Sequence, residues 1–145
     1  LGNEQWMWLE KTLKIKADVV ILISSIQVLP TEHGYEKWSL FPNEMKRLIA
    51  NIKNINARTI IISGDRHKAA IYNDNNLFEV TSSSMNRPIK ANVIMRADET
   101  DALMVGKVFN KENYGLLVID SKLKTLQMSI KNIDGNVVSS VDLKL

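Results

Sequence analysis

Apolar residues near the start of the chain recur with helical spacing. Trp6, Leu9 and Leu13 share one helical face, with Trp8 off to the side. Asn3 stands where an N-cap would, and Glu4 in the next turn suits the positive end of the helix dipole. The pattern predicts a helix of about three turns. The period then disappears: Ala17–Ser24 (ADVVILIS) is a nearly continuous apolar run, as in a strand covered on both faces. Ser25-Ile26-Gln27 and Val28-Leu29-Pro30 follow it, and Thr31–Pro42 is a polar, aromatic-bearing connection in which Trp38 and Phe41 are expected to pin the loop to the body. Helical spacing returns over Asn43–Asn54, with Met45, Leu48, Ile49 and Ile52 inward and Lys46, Arg47 and Lys53 outward. Ile60, Ile61 and Ile62 make a second buried strand, which completes a strand–helix–strand unit.

Beyond His67 the texture changes. Ala69–Tyr72 and Leu77–Thr81 read as short strands around the turn residues Asn73-Asp74-Asn75-Asn76. Ser82–Pro88 is a polar loop, and Ala91–Ala102 fits no period. From Leu103 the pattern is antiparallel β: Leu103–Phe109, Tyr114–Ile119, Thr125–Asn132 and Val137–Leu145, the last after the hairpin signal Asp134-Gly135-Asn136. The prediction is an α/β (α+β) chain without a linker: an α/β part over residues 1–90 and an antiparallel β-rich end over 91–145.

Composition narrows the choice only slightly. The 145 residues are 45% apolar and suit one domain with a real core. The net charge is +3, but the lysines are scattered, and no basic block interleaved with aromatics suggests a nucleic-acid surface. No cysteine is present, which excludes disulfides, a thiolate nucleophile and zinc–thiolate sites. The run Val19–Ile23 is far too short to span a bilayer, and Leu1-Gly2-Asn3 is neither a signal nor a transit peptide. A start this abrupt, just ahead of a helix, leads us to expect a segment of something longer.

The candidate chemistry lies in Arg58–His67 (RTIIISGDRH). Ser63 and Gly64 end the apolar run, and Gly64 suggests a turn that a side chain would hinder. Asp65 and His67 stand two apart; in extended backbone such residues point to one side. A carboxylate and an imidazole would then converge beyond the carboxyl end of a buried strand, where open α/β sheets bind ligands. Mixed carboxylate and imidazole ligation suits iron, manganese or zinc. Three further residues are candidates. Gln27 falls near a strand end on the same edge, where it either orients a ligand or fixes the loop. His33 is either a general acid or phosphate contact, or a solvated loop histidine. Arg66 has a fork that fits phosphate, or lies exposed beside the turn. On spacing alone, Gly-Asp-x-His is also an ordinary turn.

Five stretches in order resemble PhoD-like alkaline phosphatases: Leu1–Glu10 (LGNEQWMWLE), Ser25–Val28 (SIQV), Glu36–Pro42 (EKWSLFP), Ser63–His67 (SGDRH) and Glu79–Ser83 (EVTSS). Asn113-Tyr114-Gly115 and the Asp134-Gly135 hairpin look like that family's carboxyl-terminal end, so the resemblance covers nearly the whole chain. It implies the C-terminal part of a two-sheet calcineurin-like metallophosphoesterase sandwich with flanking helices. Gly64-Asp65-Arg66-His67 looks like the counterpart of the superfamily's late Gly-His-x-His motif, which implies Asp65 and His67 as metal ligands. Gln27 then stands where many relatives place a histidine, as a substrate-facing or supporting group. The implied reaction is phosphomonoester or phosphodiester hydrolysis of a small-molecule substrate, with metal-activated water as nucleophile at a dinuclear or larger centre. Iron and calcium are implied by the resemblance, as is an extracytoplasmic or secreted setting.

The superfamily's earlier ligand motifs are missing before Gly64, the chain has only two histidines, and two ligands cannot hold a dinuclear centre. The expectation is therefore a carboxyl-terminal half whose N-terminal half carries the other ligands, with little activity by itself and with apolar sheet edges open. The alternative is a non-catalytic binding or structural module that keeps the fold.

Overall fold

The computed structural model describes residues 1–88 and 99–145. Residues 91–98 of the unassigned stretch 91–102 therefore lie outside the described residues. Helix α1 (Asn3–Thr12) begins one residue earlier than the capping pattern suggests: Gly2 is the N-cap and no side chain caps the turn. Its Glu4 and Lys11 sit at the ends where their charges complement the dipole. Helix α2 (Pro42–Lys53) starts on a proline, whose missing N–H costs nothing in a first turn, and buries Leu48 and Ile52.

Among the described residues, eight strands follow the predicted series: β1 (Val19–Ser24), β2 (Arg58–Ser63), β3 (Ala69–Asp74), β4 (Leu77–Ser82), β5 (Met104–Phe109), β6 (Asn113–Asp120), β7 (Thr125–Asn132) and β8 (Val137–Lys144). They form a five-stranded sheet, β1-β2-β4-β3-β5, and a three-stranded sheet, β6-β7-β8. The chain is thus α+β with two sheets and flanking helices, as expected. β1 pairs parallel to β2 through α2, and β2 pairs parallel to β4. β3 and β4 form a hairpin whose tip residues Asn75 and Asn76 have φ of 49° and 70°. Two left-handed residues at a hairpin tip follow the strand twist, and asparagine tolerates that conformation.

Alternation along β2 divides the core. Ile61 faces the helices, packing with Trp6, Leu48, Ile52 and Tyr72. Ile60 faces the second sheet and its inward residues Leu126, Met128 and Ile130. Trp38 does pin its loop: it meets Trp6 edge-on, with ring centroids 6.4 Å apart, and its indole N–H donates to Ser24 Oγ at 3.1 Å. Phe41 does not, being half exposed. The larger departure is β1, expected to be covered on both faces. Among the described residues it is an edge strand with one neighbour, and Ile21 and Ile23 are 43% and 79% exposed. A run of β-branched residues records what each face can bury, not how many strands stand beside it.

Candidate functional site

Parallel pairing brings the carboxyl ends of β1, β2 and β4 to one edge, at Ser24, Ser63 and Ser82. Gly64 to Lys68 connects β2 to β3 at that edge. The turn is not extended. Asp65 and His67 have φ of 59° and 53°, so the same-side argument for residues two apart does not hold. Nor does the turn depend on Gly64, where an added Cβ would meet Ser83 Cβ at 3.7 Å and Ser25 O at 3.8 Å, ordinary contact distances. The left-handed positions fall instead on aspartate and histidine, two of the residue types that enter this region most readily.

Asp65 is exposed and His67 half-buried. His67 Nδ1 lies 2.9 Å from the carbonyl oxygen of Arg87. A carbonyl only accepts, so Nδ1 is the donor and the neutral ring keeps its lone pair on Nε2. Metal-ligating histidines are held in this way, the second ring nitrogen donating to a carbonyl or carboxylate. Among the described residues, no group of three or more His, Asp or Glu side chains is arranged to hold a metal ion. The turn offers two donors, not a complete ligand set.

Arg66, between them, turns into the body and is buried. Its Nη2 donates to Glu99 Oε2 at 2.7 Å, its guanidinium lies 4.4 Å from the centre of the Tyr35 ring, and its backbone N–H donates to Ser83 Oγ at 2.9 Å. Lys68 is buried too, and its Nζ donates to the same Glu99 oxygen. Burial holds the Lys68 ammonium below its ordinary range, against the pull of Glu99.

His33 belongs to this cluster and is not a solvated loop histidine. Its Nδ1 accepts the Tyr35 backbone N–H at 3.1 Å, so the proton of the neutral ring resides on Nε2. Burial, then the Arg66 charge, pushes its pKa down to about 4, with Glu99 opposing. Lys37 donates to the His33 carbonyl from the other side of the loop. The fold thus brings His33 and Arg66 together, with Arg66 buried rather than exposed beside the turn, while their partners Lys68 and Glu99 carried no visible signal in the sequence.

Gln27 is fully buried, and its Nε2 donates to Thr81 Oγ1 at 2.8 Å. Thr81 Oγ1 is 2.8 Å from Ser63 Oγ, which donates to Glu79 Oε1 at 2.5 Å. The Glu79 carboxylate also accepts the backbone N–H groups of Val28 at 3.0 Å and Leu29 at 2.6 Å. Burial drives its pKa up, while the Leu29 N–H, the Ser63 hydroxyl and the Val28 N–H favour the charged form. Glu79 thereby fixes the segment leaving β1 and, through Ser63 and Thr81, the Gln27 amide. The one clue in sequence was a carboxylate placed between Phe78 and Val80 in an apolar strand.

Two cavities among the described residues lie elsewhere. An apolar groove of about 470 Å³ runs between α1, β1 and α2, lined by Trp8, Leu9, Val20, Leu22 and Trp38 among others. A polar cleft of about 600 Å³ sits at the opposite end of the strands, between Asp18, Arg58, Asn76 and Lys124. Neither includes Asp65 or His67.

No family model matches the chain. No curated protein matches it either. Its fold, however, is that of two solved structures. GAP50, the anchor in the inner membrane complex of Plasmodium, superposes with a TM-score of 0.77 at 14% identity, over 98% of this chain and 42% of that one. PhoD superposes with a TM-score of 0.71 at 16% identity, over 99% of this chain and 32% of that one. The chain therefore spans less than half the length of either structure.

Proposed function

We propose that this chain forms one side of a metal-dependent phosphoester-hydrolysing site, with Asp65 and His67 as metal ligands, and that the rest of the site belongs to a longer polypeptide. The observation that carries this reading is the set of His67: Nδ1 donates to the Arg87 carbonyl at 2.9 Å, which leaves the Nε2 lone pair with no partner among the described residues, beyond the carboxyl end of a buried parallel strand. Asp65, exposed on the same turn, offers a carboxylate. The likeness of fold to PhoD supports the reading.

A carboxylate with a neutral imidazole suits iron, manganese or zinc, whereas calcium, proposed from the family resemblance, requires oxygen donors from elsewhere. When bound, such ions neutralise charge on phosphoryl oxygens and lower the pKa of water. The chain's own residues do the remaining work assigned to them here. Glu79 and Gln27 set the β1 exit, and Arg66, held by Glu99 and Tyr35, anchors the turn between the two ligands. Arg66 and Gln27 act as positioning residues, since both use their polar groups internally. His33, buried and with its proton on Nε2, is a candidate hydrogen-bond donor toward a phosphate rather than a general base.

A second reading is a non-catalytic module that keeps the fold. Two observations favour it: the likeness to GAP50, an anchor, and the lack of a third ligand among the described residues. Metal content and p-nitrophenyl phosphate hydrolysis separate the readings, measured on this chain and on the chain extended upstream to its natural start. The hydrolase reading expects metal and turnover in the extended form alone, both lost in Asp65→Ala and His67→Ala. An extended form that is folded, inert and metal-free leaves the module.

A further inference from the structure

The cleft of about 600 Å³ lies at the amino ends of β1 and β2, away from the Asp65–His67 turn. β2 is six residues long, which sets its two ends roughly 17 Å apart. Segments far apart in the chain meet at this end. The Arg58 backbone N–H donates to the Asp18 carbonyl at 3.0 Å, and the Leu145 N–H to the Lys124 carbonyl at 2.8 Å. The tip of the β3–β4 hairpin, from Asp74 to Leu77, forms a further wall. Ile52, Ile55 and Leu77 supply the apolar part of the lining.

Arg58 is the best fixed of the polar groups. Its Nη1 donates to the Asn76 carbonyl at 3.3 Å and its Nη2 to the Lys144 carbonyl at 3.4 Å. Two neutral acceptors hold the guanidinium without neutralising it. Among the described residues no carboxylate lies within ion-pair distance of Arg58 or of the exposed Lys53. Lys124 reaches Asp18 only at 3.7 Å, with both side chains more than half exposed, a pair that water screens. Three cationic side chains thus line the cleft against the carboxylates of Asp18 and Asp74, and Asp74 already accepts from Asn75 Nδ2 at 2.8 Å. Thr59 lines the cleft too. It is 5% exposed, and its Oγ1 is buried without a hydrogen-bond partner among the described residues. Buried hydroxyls in native proteins are nearly always paired, with protein or with something bound.

From this cleft we infer a second binding site, at the opposite end of the strands from Asp65 and His67, for a small organic anion bearing phosphate or carboxylate groups. Arg58 takes one oxyanion group through its remaining N–H donors, whose planar fork matches such oxygens. Lys53 and Lys124 add charge around it. Lys53 stands in the last turn of α2, where it also offsets the negative end of the helix dipole that an anion would otherwise meet. The carbon skeleton of the ligand lies along Ile52, Ile55 and Leu77, and Thr59 offers its hydroxyl. Apolar surface with a few placed polar groups, in a volume of this size, is the usual make-up of a small-molecule site. The site shares no residue with the hydrolase reading and stands whichever role the other edge has.

NMR titration of the chain extended to its natural start tests the assignment, with inorganic phosphate and citrate as separate probes. The sample carries Asp65→Ala and His67→Ala, so that an anion held at that turn does not contribute. The expected result is a saturable shift of the Thr59 and Lys124 amides with at least one probe. Phosphate alone then identifies a phosphate-bearing ligand, citrate alone a carboxylate, and both together a site that accepts either group. Arg58→Gln should weaken the binding roughly tenfold or more. Arg58 also ties β2 to the hairpin and to β8, so Lys53→Gln is the companion variant. Exposed and without an ion pair, it should weaken binding severalfold and leave the thermal midpoint in place. Shifts that sodium chloride of equal ionic strength reproduces are general screening and overturn the inference. So does a lack of saturation with both probes, or binding unchanged in Lys53→Gln or in folded Arg58→Gln.

Discussion

Two buried residues carry opposite lessons about charge. Glu99 Oε2 serves both Arg66 and Lys68, so one carboxylate stands between two buried cations. Removing it leaves both charges uncompensated, which costs far more than the pair contributes over an apolar substitute. Glu99→Gln is expected to lower stability by about 3–5 kcal/mol. A urea midpoint that implies a loss below about 1 kcal/mol would mean that water already reaches the cluster. His33 acts through its proton instead. Its pKa falls from 6.5 to about 4 on folding, so the unfolded chain binds the proton more readily between those values. The stability it contributes is complete above pH 6.5 and is lost as the pH falls toward 4. The full effect is on the order of 3 kcal/mol. Glu79, with its carboxyl pushed up by burial, has the opposite slope, so the clean measurement is a difference. His33→Gln should flatten the fall in urea stability between pH 6.5 and 4, relative to the parent chain, and an unchanged slope would refute the assignment.

At the scale of elements, the second sheet is held by one face of β7. Leu126, Met128 and Ile130 are fully buried against Ile60, Ile71 and Val80. Leu126→Ala is expected to cost about 2–5 kcal/mol, through lost burial and the cavity left behind. Ile133, in the exposed loop after β7, provides the control: Ile133→Ala should stay within about 0.5 kcal/mol. The thermal midpoints of the two variants check this. Such elements were plain in the sequence because their signals are local. β7 spans Thr125–Asn132 as its alternation predicted, and α2 differs by a single residue at each end. What stayed hidden were the side-chain contacts across distance. Glu79 reaches Val28 and Leu29 some fifty residues away, and no periodicity records that contact. The Asp65–His67 turn was misjudged for a related reason. Its backbone is set by Arg66 folding inward to Glu99 and by Ser83 receiving the Arg66 N–H, so the glycine beside it had no say. Sequence could nominate Asp65 and His67 as a pair, but not their left-handed conformation.

At the scale of the whole molecule, stability and solubility come apart. Both cores, one between helices and the first sheet and one between the two sheets, are filled, yet among the described residues β1 and β6 both present unpaired edges on one side. A chain of this kind folds and still carries a template for pairing with whatever strand it meets. Net charge does little to prevent this, since +3 is spread over the surface and β1 itself bears none of it. For the 145-residue chain on its own, the expectation is therefore concentration-dependent self-association through β1. Ile23→Lys places a charge on the most exposed edge position without disturbing Ile60 or Ile61 behind it. A lysine there opposes edge-to-edge pairing by requiring its ammonium to be desolvated. Analytical ultracentrifugation should show the parent chain shifting to larger species as its concentration rises, and the variant remaining monomeric with an unaltered urea midpoint. If both associate alike, the adhesive surface is elsewhere, and the outer face of β6, where Leu116 and Val118 are exposed, is the next to alter. If the variant is monomeric but markedly less stable, Ile23 contributes to the existing core more than its exposure indicates. The edge would then be a closed boundary of the fold, without the need for a neighbour that its shape suggests.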